Sequence, residues 1–244
     1  MKKVIRPLIG PLRKLKLSRV GFTLVELLVV IGIIAILAGV ALGPITQGIK
    51  KAAQSKGLQT AHVLSLAEFQ YANDNNELYP DSGNTGANSG GANASSVANC
   101  LVNGGYISDP SIFYISGSTE ETKYTGSMTL PVNIGQAYIS WDFCGNSNGT
   151  GVNPNAPDQL PLVWSSNQNV TTGLLQSNPS ATTVQVTGTS PFGTAGMAVC
   201  YKSNSASFIT ASQSGSGSSI TANTALFPSG YPGWTAAFAL SGNN

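Results

Sequence analysis

The sequence predicts an α+β fold: a long N-terminal α-helix, membrane-type in its first half and amphipathic in its second, packed on a mostly antiparallel β-sheet head. Three observations predict it. Residues Phe22 to Gly43 form an apolar run with one charge, a helical apolar pattern continues to about Asn73, and the charge-poor remainder is punctuated by short strand-like runs. The boundaries divide the chain into 1–21, 22–44, 45–74 and 75–244.

Segment 1–21 carries seven of the twelve basic residues (Lys2, Lys3, Arg6, Arg13, Lys14, Lys16 and Arg19) and no acid. It runs into GFTLVELLVVIGIIAILAGVALGP. As a helix, Phe22 to Gly43 spans roughly 33 Å, the hydrocarbon thickness of a bilayer. No Lys or Arg lies between Phe22 and Ile49, so the positive-inside rule leaves the leader in the cytoplasm and places the rest outside. Lys50, Lys51 and Lys56 weaken that bias without reversing it. A secretory signal would discard its apolar stretch at an A-x-A-type site, and none closes this run.

Glu26 is the one carboxylate in the run. Near a helix centre in lipid an acid costs about 2.5 to 3.5 kcal/mol on insertion scales, less near an end, so such groups mark function and need partners. A cut after Gly21 would create an α-amino group on Phe22, cationic below about pH 7.7 to 8. That amine would lie four residues from Glu26, within one helical turn or across to a neighbouring copy. The competing reading is an uncut signal anchor whose Glu26 snorkels to the headgroups.

The string Gly21-Phe22-Thr23-Leu24-Val25-Glu26, with a basic leader ahead and an apolar helix behind, resembles the amino terminus of a type IV prepilin or type II secretion pseudopilin. The resemblance covers about the first third of the chain. It implies that a prepilin peptidase cuts between Gly21 and Phe22 and N-methylates Phe22. It further implies that Glu26 pairs with the Phe22 amine of an adjacent subunit during filament assembly. The implied partners are other pilins or pseudopilins in a helical filament, the peptidase, an inner-membrane assembly platform and, before assembly, membrane lipid. The implied location is the inner membrane, then a periplasmic or cell-surface filament. Two departures stand out: the 21-residue leader is long, and the helix-kinking proline, Pro44, falls one position late.

Cleavage would change the charge. The chain is +2, but the product keeps five Lys against all ten acids, a balance of −5. No basic patch of the kind that contacts phosphates remains, so no direct nucleic-acid binding is expected.

Past Pro44, which lacks a helical donor and should bend or loosen the preceding turn, Ile45, Ile49, Ala52 and Ala53 form one stripe. Leu64, Ala67 and Tyr71 continue it at helical spacing. Gly32, Gly39, Gly43, Gly48 and Gly57 each cost about 0.5 to 1 kcal/mol relative to Ala in a helix, unless close packing or local melting uses them. The Gly-, Asn- and Ser-rich stretch 75–94 reads as a loop. Asp74 to Pro80 is similar to the sequence ending the long helix of major type II secretion pseudopilins. Ser95 or Ser96 can then cap a short helix through Leu101, with Gly104 as a stop.

Strand-like runs follow at Ser111–Ser116, Gln136–Phe143, Leu160–Ser165, Thr182–Gly188, Met197–Lys202, Ala206–Ala211 and Thr235–Leu240. Gly196 to Thr210 reads as a hairpin turning near Ser203-Asn204-Ser205. It is weakly similar to a carboxyl-terminal pseudopilin hairpin that usually carries Asp-Gly at the turn, which is absent here.

No enzyme is expected. Gly145-Asn146-Ser147-Asn148-Gly149 matches a nucleophile elbow, but no helix start follows it, and the single His, His62, lies upstream in the stalk. The three cysteines lack zinc spacing, and the residues supply no other metal set. Calcium is bound near the carboxyl terminus of major type II secretion pseudopilins, but no acid follows Asp158 here. Asp74, Asn75, Asn76, Glu77 and Asp81 read as a solvated turn, so no cofactor is expected. Cys100, Cys144 and Cys200 fall in the exported region, where one disulfide is expected, with Cys144–Cys200 marginally preferred. Tyr106, Trp141, Trp164, Tyr231 and Trp234 are either core residues or surface anchors, and the core is favoured. The rival to a filament subunit is a single-pass anchored binding or adhesion domain, or an anchored enzyme, whose helix never leaves the membrane.

Overall fold

The computed structural model describes residues 21–80, 93–118, 121–146, 152, 154–165, 183–214, 217–221 and 237–240. Helix α1 runs from Leu24 to Asp74, 51 residues without interruption. The chain divides into two compact units, 1–47 and 48–244.

In the first unit every described residue is exposed, and the large apolar side chains from Leu24 to Leu42 are 45 to 77 % accessible. Pro44 sits inside the helix. It offers no N–H to the turn before it, so a backbone hydrogen bond is missing at this point. Two residues on, the Thr46 hydroxyl donates to the Gly43 carbonyl at 2.8 Å.

In the second unit α1 becomes one-sided. Gly57, Ala61, Leu64, Ser65, Ala67, Glu68, Tyr71 and Ala72 are buried, at the spacing of three and four that gives a helix a single inward face. Its end comes one residue past the predicted Asn73. Asn76 takes the left-handed conformation (φ 56°), and the Glu77 N–H returns to the Ala72 carbonyl at 2.8 Å, a Schellman-type closure with Asn where Gly is usual.

Helix α2 (Ala94–Asn103) starts at Asn93, whose side chain accepts the Ser96 N–H, rather than at Ser95 or Ser96. Asn99 and Asn103, one turn apart on α2, each exchange two hydrogen bonds with the backbone of Ile134 and Val132 respectively, at 2.7 to 3.2 Å. A helical step of four matches the step of two in an extended chain, so the pair straps residues 132–134 to the helix.

The run Ser111–Ser116 is not a strand. Asp109 caps a 3-10 turn at Pro110–Phe113 by accepting the Ser111 N–H at 2.9 Å, and proline at the first turn fixes its start. Gln136–Tyr138 likewise forms a 3-10 turn, so the strand predicted there begins only at Trp141.

The strands among the described residues are β1 (Trp141–Asn146), β2 (Pro161–Ser165), β3 (Thr183–Val186), β4 (Gly196–Tyr201), β5 (Ala206–Thr210), β6 (Ser212–Ser214), β7 (Gly217–Thr221) and β8 (Ala237–Leu240). They form an antiparallel five-stranded sheet of order β5-β4-β2-β1-β8 and a three-stranded sheet of order β3-β7-β6. The β4–β5 hairpin turns where predicted, with Asn204 left-handed (φ 57°) in place of a glycine. Gly196 is required at its start: at φ 144° a side chain there would collide with the Ile209 backbone.

One cluster joins Leu64 and Tyr71 of α1, Val97 and Leu101 of α2, and Trp141, Phe143, Val163, Trp164 and Val199 of the sheet. Trp141 and Trp164 are fully buried, so both belong to the core, whereas Tyr231 and Trp234 lie outside the described residues. The buried Asp142 carboxylate accepts the Trp164 indole N–H at 3.1 Å. Buried Glu121 accepts hydroxyls from Ser118 and Ser140. Such partners matter in a core because an unpaired polar group there costs about 1 to 3 kcal/mol.

Candidate processing and assembly site

The site begins with how α1 starts. Thr23 is the last residue before the helix. Its hydroxyl oxygen accepts the Glu26 N–H at 3.2 Å, while the Glu26 carboxylate accepts the Thr23 N–H at 2.9 Å and the Thr23 hydroxyl at 2.8 Å. Cap and third helical residue thus satisfy each other's backbone donors, a capping box. Four N–H groups at a helix start have no intrahelical acceptor, and Glu26 also lies at the positive end of the helix dipole.

The carboxylate is therefore folded back over the first turn, toward Phe22. Among the described residues Thr23 is its one hydrogen-bonding partner in the chain. Phe22 is 72 % exposed, and among the described residues a side chain added at Gly21 would meet nothing within 4 Å. Among the described residues no packing contact requires glycine at 21.

Sequence reasoning found Glu26 and Phe22 but missed Thr23. The signal was present, since Thr-x-x-Glu ahead of an apolar run is the sequence pattern of a capping box.

The cysteine expectation is corrected. None of the three cysteines is in a disulfide, and all are buried. Phe143 pairs with Val163 and Val163 with Cys200, so β2 lies between the strands of Cys144 and Cys200. Two strand spacings are about 9.5 Å, beyond the about 4.4 to 6.8 Å a disulfide spans between α-carbons. The register also puts Cys200 on the face of Phe143 and Cys144 on the opposite one. Burial pushes the Cys200 thiol up to about 11, and Glu68 adds to the rise.

The remaining expected groups are dispersed. His62 is exposed on α1, with Nδ1 3.1 Å from Asn204 Oδ1 at the hairpin turn. Asp74 accepts the Tyr106 hydroxyl at 2.9 Å, and the Asn75 side chain donates to the Tyr71 carbonyl at 2.8 Å. Asp81 lies outside the described residues, as do 147–149 of the elbow-like string. Among the described residues no three His, Cys, Asp or Glu side chains gather as a metal site.

Residues 21–42 match the family profile described as the prokaryotic N-terminal methylation motif. This segment is a prepilin-type cleavage and methylation signal. The match supports a type IV pilin- or pseudopilin-like precursor and implies processing by a prepilin peptidase. The long apolar helix beside it fits a membrane-anchored protein of that type. No curated protein and no solved structure matches the chain.

Proposed function

We propose that this chain is a structural subunit of a helical filament, a type IV pilus or a type II secretion pseudopilus. The observation that carries the reading is a methylation motif on a helix whose apolar side chains stay exposed from Phe22 to Ile49. Before assembly lipid covers that surface; in the filament, copies of the helix cover it for one another. Burial of apolar area, worth about 25 cal/mol per Å², supplies cohesion without direction. Direction comes from charge. Cleavage after Gly21 places a cationic amine on Phe22, and a neighbouring Glu26, already turned toward its own helix start, accepts it.

Mass spectrometry of the native protein tests the first step: the chain should begin at methylated Phe22, and an intact leader or a cut elsewhere refutes it. Glu26→Ala tests the second. Insertion and cleavage should persist while sheared filaments disappear, and normal filaments from this variant would remove the register role from Glu26.

A further inference from the structure

The head half of α1 has a second, outward face. Val63, Leu66 and Phe69 are 46 to 49 % exposed there, on the side away from buried Ala61, Leu64, Ser65, Glu68 and Ala72. On the membrane side of this stripe stand Lys51 and Lys56, with Lys50 beside them. All three are exposed, and none has a hydrogen bond or ion pair among the described residues. Beyond the stripe are Asp74 and Glu77, both exposed, and no basic residue lies in the last turn of α1. The carbonyl end of the helix adds its partial negative charge to theirs. Glu77 also holds a left-handed backbone (φ 63°), a strained conformation for a side chain of its size.

We infer that this face is an interface between copies of the chain, in which Lys51 and Lys56 of one subunit meet Asp74 and Glu77 of another. The inference rests on the filament reading, which fixes the direction of the copies. An antiparallel pair would also match charge with charge, but chains that enter one membrane with their leaders on the same side run parallel. Parallel copies bring the cationic end of one to the acidic end of the next only by sliding along the axis. From Lys56 to Asp74 is 18 residues and from Lys51 to Asp74 is 23, so the slide is roughly 27 to 35 Å at 1.5 Å per residue. Such a contact is heterologous and does not close on itself, so it propagates. The apolar stripe supplies burial between the charged ends, and the charges choose the offset.

The test uses the full-length precursor in a host that processes and assembles it. Lys51→Glu with Lys56→Glu, and separately Asp74→Lys with Glu77→Lys, should each lower sheared filament yield about tenfold or more, because like charges then face each other. Both should keep the start at Phe22. A chain carrying all four substitutions should return to within a few-fold of the unmodified yield. In a second experiment Lys51→Cys with Asp74→Cys should give an oxidative ladder of covalent multimers that neither single substitution gives. Unchanged yields from both reversals, or no rescue in the combined chain, overturn the interface. Loss of cleavage in the lysine variant also overturns it and assigns those lysines to the membrane surface. If the unmodified chain makes no filaments, the filament reading falls and takes this interface with it. Filaments from the unmodified chain with no ladder sink the interface alone.

Discussion

Between Leu24 and Leu42 the large apolar side chains of α1 are 45 to 77 % exposed, whereas from Gly57 to Ala72 the same helix alternates buried and exposed positions. The glycines differ in the same way. Among the described residues, side chains added at Gly32, Gly39 and Gly43 would meet nothing within 4 Å, while one at Gly57 would overlap the Phe192 ring. Phe192 is itself packed edge-on against Phe208, with centroids 5.4 Å apart. One backbone geometry thus serves two purposes. The head half completes a core inside its own chain; the N-terminal half keeps its apolar surface exposed.

The sharpest way to break this contrast is a matched pair of truncations. Leu64→Ala should cost the head about 2 to 5 kcal/mol in urea or thermal unfolding, as expected of a fully buried leucine. Ile34→Ala should leave head unfolding unchanged, and a comparable loss there would show that the halves are not separate in energy. A second pair uses the glycines. Gly57→Ala should destabilise by about 1 to 3 kcal/mol through overpacking on Phe192, whereas Gly39→Ala should leave the head untouched and favour the helix by up to about 1 kcal/mol.

A smaller effect concerns the helix start. Thr23→Val should loosen the first turn by about 0.5 to 2 kcal/mol, read as faster amide exchange at Leu24 to Glu26 in micelles. Thr23→Ser should restore protection, and equal exchange in all three proteins would remove the capping box. Smallest near neutrality is the response to base. Burial raises Cys200 from 9.0 to about 11, and burial with Glu68 and Asp158 raises Tyr79 from 10.0 to about 12. The folded state holds both protons more tightly than the unfolded state. Their contribution is therefore complete below about pH 9 and is lost between about 9 and 12. Head stability should fall across that window, and Cys200→Ser should remove its lower part. A pH-independent midpoint from 8 to 11 would contradict the assignment.

Much of this was legible in the chain. The helix from Leu24 onward, the hairpin at Gly196 to Thr210 and the strands Pro161–Ser165 and Thr183–Val186 follow from periodicity and turn residues. The errors have specific causes. In Ser111–Ser116 the residues Ile112, Phe113, Tyr114 and Ile115 favour a strand, but the Asp109-Pro110 start signal prevails locally. Strands β6 and β7 lie in ASQSGSGSSIT, where Gly and Ser conceal pairing that only backbone partners supply.

The sequence by itself determined the methylation motif, the membrane-length helix and its lone carboxylate. All three depend on residue type and spacing along a single strand of chain. Tertiary structure decided the cysteines, because Cys144 and Cys200 are kept apart by an intervening strand whose position no spacing reveals. It also decided which face of the head half of α1 turns outward. That choice depends on where the sheet and α2 pack, and it leaves Val63, Leu66 and Phe69 on the surface between opposite charges.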